Sequence, residues 1–170
     1  MRPMPNLIHG PAYPLVLRQE RVILNHNLGE FLPHDAGEET NIVEVLDRQG
    51  VAYDAIAWRD TDPNVWASRT RCATFLGEAE IERAAVLEVP LFLFKTPARW
   101  VLNHQPGGRW PAACVVGWDE PDQIALALNK VRIVTSPPIA EKLEDVKRKL
   151  TPEFRVRVIH PADKPVKEAA

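Results

Sequence analysis

Apolar residues arrive in blocks along the first third of the chain and at helical spacing along the last third. Tyr13 to Leu28, YPLVLRQERVILNHNL, gathers Val, Leu and Ile around a charged cluster at Arg18 to Arg21, which predicts two short strands joined by a polar turn or one long bent strand. Thr40 is placed to cap a helix running to Gln49, with Ile42, Val43 and Leu46 on one face and Gly50 in the left-handed position that ends helices. VAYDAIAWR, residues 51–59, is nearly continuous in apolar character, as in a strand covered on both faces. Asp62 followed by Pro63 opens a second helix, in which Val65, Arg69, Cys72 and Leu76 recur at i, i+4, i+7 and i+11 before Gly77 closes it. Glu78 to Val86 reads as a further short helix.

VPLFLFKT, residues 89–96, carries the strongest strand pattern. RWVLNH, 99–104, and WPAACVVGW, 110–118, follow it, and the intervening QPGG predicts that these two form an antiparallel hairpin. Asp119, Glu120 and Pro121 open a helix with Ile124, Ala127 and Leu128 inward, KVRIVTS is a short strand, and Ser136 with Pro137 opens the next helix. That last helix places Ile139, Leu143, Val146 and Leu150 on one stripe, with Glu144–Arg148 and Asp145–Lys149 as i,i+4 pairs. FRVRVI, 154–159, alternates Phe154, Val156 and Val158 against Arg155 and Arg157, the pattern of a half-exposed edge strand protected by charge.

The resulting order predicts an α/β fold: a single domain over residues 1–160 with a mixed parallel and antiparallel central sheet flanked by helices, and a flexible C-terminal tail over 161–170. Strand, helix, strand, helix, then Val89-Pro90 leading LFLF and a later helix opened by GWDEPDQ resembles the thioredoxin-like layout of glutaredoxins and glutathione-transferase N-terminal domains across residues 21–129. The redox cysteine or serine of that layout has no counterpart between Leu28 and Thr40, and an extra strand precedes the last helix. The resemblance implies a cis Pro90 and a non-redox binding module.

Composition changes this picture little. The 170 residues suffice for one well-packed domain, and 45% apolar with 26% charged residues is ordinary for a globular chain. No apolar run approaches the ~18 residues that span a bilayer, and the start has no secretory apolar region, so a cytoplasmic location without membrane contact is expected. Cys72 and Cys114 are too few for a disulfide framework, and both are read as core-facing small hydrophobes. A formal net charge of −2 disfavours bulk attraction to nucleic acid but leaves room for a local patch. The 16 prolines fall mostly at element boundaries.

The densest set of potential ligands is NHNLGEFLPHDAGEE, residues 25–39. Imidazole and carboxylate groups are the donors a catalytic divalent metal ion uses, so His26, His34 and Asp35 are candidate metal ligands, with Glu38 or His34 as candidate acid–base groups of a metal-assisted hydrolase or nuclease. The blander reading is a solvated loop leading into a helix: His26 and Glu30 flank Gly29, and His34 with Asp35 follows Pro33, so neither pair sits on the regular helix that fixes a His-Glu-x-x-His site. Arg99, Trp100, Arg109 and Trp110 are expected to meet across the predicted hairpin, and with Arg155 and Arg157 on the edge strand they form a candidate interface.

Phosphate-binding glycine loops, nucleophile elbows, deaminase signatures and zinc-finger spacings are all missing from the sequence. The expectation is therefore a non-catalytic binding or accessory protein without a cofactor. It would recognise a protein partner, or a second copy, through the Arg/Trp surface and the edge strand, with metal-assisted hydrolysis and nucleic-acid binding as alternatives.

Overall fold

The computed structural model describes residues 15–104, 110–129, 131–149 and 155–159. Its first half is a closed barrel of five strands: β1 (Leu17–Asn25), β2 (Glu30–Pro33), β3 (Glu38–Leu46), β4 (Ala52–Arg59) and β5 (Asp62–Ser68), in the order β1-β2-β5-β4-β3. Neighbours are antiparallel except where β2 meets β5 in parallel at Glu30 opposite Ser68. So few strands enclose little volume, and Ala55, Ala57 and Ala67 leave room inside for Val22, Phe31 and Ile42. Arg18, held 2.8 Å from Glu44 and 3.2 Å from Glu20, adds a polar cluster beside this core.

The second half is an α/β sheet in the order β10-β9-β7-β8-β6, built from β6 (Phe75–Leu76), β7 (Leu91–Phe94), β8 (Ala112–Val115), β9 (Arg132–Thr135) and β10 (Arg155–Val158). β7 to β10 run parallel and β6 runs against β8. The helices are α1 (Glu78–Leu87), α2 (Pro97–Asn103), α3 (Pro121–Leu128) and α4 (Pro137–Lys149). Proline is the first residue of α2, α3 and α4, where its missing N–H costs no intrahelical bond and its fixed φ suits the first turn.

α1, α3 and α4 bury Ile81, Ala84, Ile124, Leu128, Ile139 and Leu143 against one face of this sheet. The other face receives α2 and the barrel wall, where Val43, Val45, Ile56 and Trp58 pack with Trp100, Ala112 and Cys114.

A buried carboxylate ties the two halves together. Asp54 accepts from the Ala55 and Thr70 N–H groups on Oδ1 (2.7 and 3.0 Å), and from the Ser68 hydroxyl and the Cys72 and Ala73 N–H groups on Oδ2 (2.6, 3.0 and 3.0 Å). The segment it gathers carries Arg71 at φ 57, and Arg71 pairs with Asp119 at 2.8 Å in the turn after β8. The Trp66 indole N–H donates to the Val116 carbonyl at 3.1 Å in that same turn.

The α/β class is as expected, and the elements from 78 onward match except at α2. Three expectations are corrected. Residues 40–46 belong to β3 and 47–49 to the turn after it, because Thr40 and Ile42 face the barrel while Val43 and Val45 face the second sheet; burial on both sides gives an apolar pattern that is not alternating. Residues 62–76 form β5, a loop and β6 rather than a helix, so Cys72 is exposed instead of core-facing. Residues 97–103 form α2, capped by Thr96, whose hydroxyl accepts from the Arg99 N–H at 3.2 Å, so there is no hairpin between 99–104 and 110–118.

The sheet arrangement differs too, with a barrel and a sheet in place of one central sheet. The thioredoxin-like layout does not hold, since residues 21–68 belong to the barrel and no described peptide bond, Pro90 included, is cis. The expected tail at 161–170 lies outside the described residues. Among the described residues, no helix is long and apolar enough to cross a membrane.

Candidate functional site

The stretch 25–39 does not lead into a helix; it runs from the end of β1 through a turn, β2 and a second turn into the start of β3. His26 lies in the turn between β1 and β2, and His34 and Asp35 lie in the turn between β2 and β3, all exposed. His34 Nδ1 accepts from the Ala36 N–H at 3.1 Å, a turn-stabilising bond that occupies one of its two ring nitrogens. Asp35 contributes its carbonyl to Arg21 at 3.2 Å. His26 and Glu38 are brought together, lining a cleft of about 230 Å³ with Arg59, whose guanidinium sits 2.6 Å from Glu38. A second cleft of about 250 Å³ shares Glu38 and Arg59 and adds Glu39 and Asp60. Glu38 as a base is thus engaged by a cation that the sequence did not single out. Among the described residues, no three His, Cys, Asp or Glu side chains converge as a metal site.

The Arg/Trp set is redistributed. Trp100 is 4% exposed, donates its indole N–H to the Ala112 carbonyl at 3.0 Å and stacks on His104 with ring centroids 4.4 Å apart, so it offers no surface. Burial holds the His104 pKa below its ordinary value, with Arg83 acting in the same direction and Glu80 against it. Arg99 is exposed on α2, and Arg109 lies outside the described residues. Trp110 is 49% exposed and meets Phe92 edge to face at 5.7 Å.

The strand register assembles a different group. Ala112, Phe92, Val134 and Arg157 are successive partners across β8, β7, β9 and β10, and therefore share one face of the sheet. Arg132 and Arg155 are partners two residues earlier on the same face. Arg132 and Arg157 are exposed. The Arg132 guanidinium donates to the carbonyl of Glu88, which ends α1 in a left-handed conformation at φ 54. This is the face that α2 and the barrel wall cover at Ala112 and Cys114, and Val134 in its middle is buried; the aromatic pair lies on one side of Val134 and three arginine positions on the other, where β10 is the outermost described strand.

Sequence reading supplied Trp110, Arg155 and Arg157 but missed Phe92 and Arg132. The signal for Arg132 was available, since RIV and RVRV place arginine at matching positions of two short strands. In chemical terms, guanidinium groups and an exposed indole suit anionic and flat or apolar partner groups, and none of them is positioned as a nucleophile or a proton carrier.

The cysteines separate by exposure. Burial pushes the Cys114 thiol pKa up, against a smaller opposing effect of Lys142, while Cys72 is exposed. A thiol reagent is expected to label Cys72 rapidly in the native protein and Cys114 only after unfolding. Labelling of both at the same rate under native conditions, read by mass spectrometry, would contradict the burial of Cys114. Compared with known protein families, curated proteins and solved structures, the chain matches none.

Proposed function

We propose that the chain is a non-catalytic recognition protein that engages another macromolecule through the β9–β10 face and the β10 edge. The observation that carries this reading is the register that sets Arg132, Arg155 and Arg157 on one face beside Phe92 and Trp110. Interfaces are enriched in arginine and in Trp, Tyr and Phe, because these side chains combine large contact area with charge or hydrogen bonding. The chain as a whole is slightly acidic at −2, so a basic face of this kind is a local departure from the average surface.

The reading is tested with immobilised polyglutamate, polylysine and oligothymidylate, with binding followed by interferometry at low and physiological salt. At least one anionic probe is expected to bind, to weaken with salt and to lose most of its affinity to Arg157→Glu, while polylysine does not bind. If neither anionic probe binds even at low salt, or if Arg157→Glu binds as the wild type does, this face is not the recognition surface.

A further inference from the structure

We infer that the occupant of this face is an extended acidic segment of a protein, which adds as a further strand to β10 with Asp or Glu opposite the arginines; this rests on the recognition reading above. Three features of β10 carry it. β10 is the outermost described strand of its sheet, and its only described neighbour is β9. In a parallel ladder alternate residues turn both backbone groups toward the same neighbour. The Ile159 N–H donates to the Thr135 carbonyl at 2.8 Å, and this sets the parity. Arg155 and Arg157 spend their N–H and C=O groups on β9, while those of Val156 and Val158 point to the outer edge. An incoming strand therefore meets two donors and two acceptors at the spacing of a ladder.

Side-chain alternation then selects the sequence of that strand. Residues directly opposite across a strand pair lie on the same face, so the incoming chain sets one series of alternate residues against Arg155 and Arg157 and the other against Val156 and Val158. The first series is favourable as Asp or Glu. The second is favourable as apolar residues, since Val158 is 38% exposed and Val156 packs against the α1, α3 and α4 core.

The same alternation opposes a second copy of this chain. A two-fold pairing of β10 that keeps the faces of the two sheets aligned sets arginine against arginine, and the flipped pairing sets arginine against valine. Nucleic acid would satisfy the arginines but leave the four edge groups of Val156 and Val158 without ladder partners.

The test uses the full chain with fluorescent peptides of alternating Glu and Val, of the same residues in two blocks, and of alternating Lys and Val, together with labelled oligothymidylate, read by anisotropy. The alternating Glu/Val peptide is expected to bind best and to lose roughly tenfold or more in affinity to Arg157→Glu. Val156→Pro should cost a similar factor, because it removes an outward N–H without breaking a β9 bond or touching an arginine. A Glu/Val peptide N-methylated at alternate residues makes the same cut from the ligand side, so a misfolded Val156→Pro protein does not blunt the test.

If the blocked peptide binds as well as the alternating one, and neither Val156→Pro nor N-methylation matters, strand addition is overturned while the recognition face survives. If oligothymidylate alone binds and Arg157→Glu abolishes it, the face takes nucleic acid and this inference fails by itself. If no probe binds, both readings fall.

Discussion

Replacing Asp54 by alanine lowers the stability of the fold by about 3–5 kcal/mol, measured as a shift in the denaturant midpoint at neutral pH. The size follows from what the carboxylate leaves behind. Its five hydrogen bonds include four backbone N–H groups, two of which, on Ala55 and Ala73, are buried, and a buried donor without an acceptor costs far more than the net value of one hydrogen bond. A loss below about 1 kcal/mol would show that the loop re-forms around water and that the knot is dispensable.

The same site makes stability depend on pH. Burial pushes the Asp54 pKa upward, but the bonds from the Ser68 hydroxyl and from the Thr70, Ala55 and Ala73 N–H groups outweigh it and hold the value below the ordinary carboxylate range. A folded pKa below the unfolded one gives stability that is complete above about 3.9 and disappears as pH falls through the folded value. Asp54→Asn is therefore less stable than the wild type at neutral pH, and the gap closes on acidification. A gap that stays constant down to the acid transition would contradict this assignment.

Gly37→Ala is the second large effect. A Cβ on Gly37 would lie 2.4 Å from both the carbonyl carbon and oxygen of Val22 and 2.7 Å from its nitrogen, so β1 and the turn after β2 must separate. Backbone against backbone cannot yield by rotating a side chain, and about 2–3 kcal/mol is expected. Gly29 is the internal comparison: at φ +66 with nothing within 4 Å, alanine there meets only the left-handed strain of about 1 kcal/mol. Thermal melts of the two variants should separate clearly. If Gly37→Ala were no worse than Gly29→Ala, the close approach would not be a determinant of the barrel.

Legibility differed between the two halves for a physical reason. α1, α3 and α4 each bury one stripe against one sheet face, so their apolar residues recur at the helical period and the pattern reads correctly. β3 is buried from both sides, and its Ile42, Val43 and Leu46 fall on the template of a helix face. Thr40 deepened the error, because it resembles an N-cap although its hydroxyl donates to the Glu38 carbonyl at 2.9 Å within the strand.

Local grammar was also ambiguous. Thr96-Pro97 starts a helix, whereas Asp62-Pro63 starts β5, and what separates them is the β4 neighbour that pairs with residues 62–68. The recognition face was half visible for a related reason. Composition marks Trp110, Arg155 and Arg157, but only the lateral register brings Phe92 and Arg132 beside them. The clefts at 26–39 gained Arg59 in the same way, from a strand twenty residues downstream of Glu39.

The barrel's dependence on the sheet has a consequence for biosynthesis. All five barrel strands are translated before the sheet that covers Val43, Val45, Ile56 and Trp58, and that cover is complete only once Trp100, Ala112 and Cys114 have been made. A chain truncated near residue 75 would therefore hold all five barrel strands with one apolar wall left uncovered. Truncation in that window would yield an aggregation-prone fragment, even though every residue of the barrel interior is present.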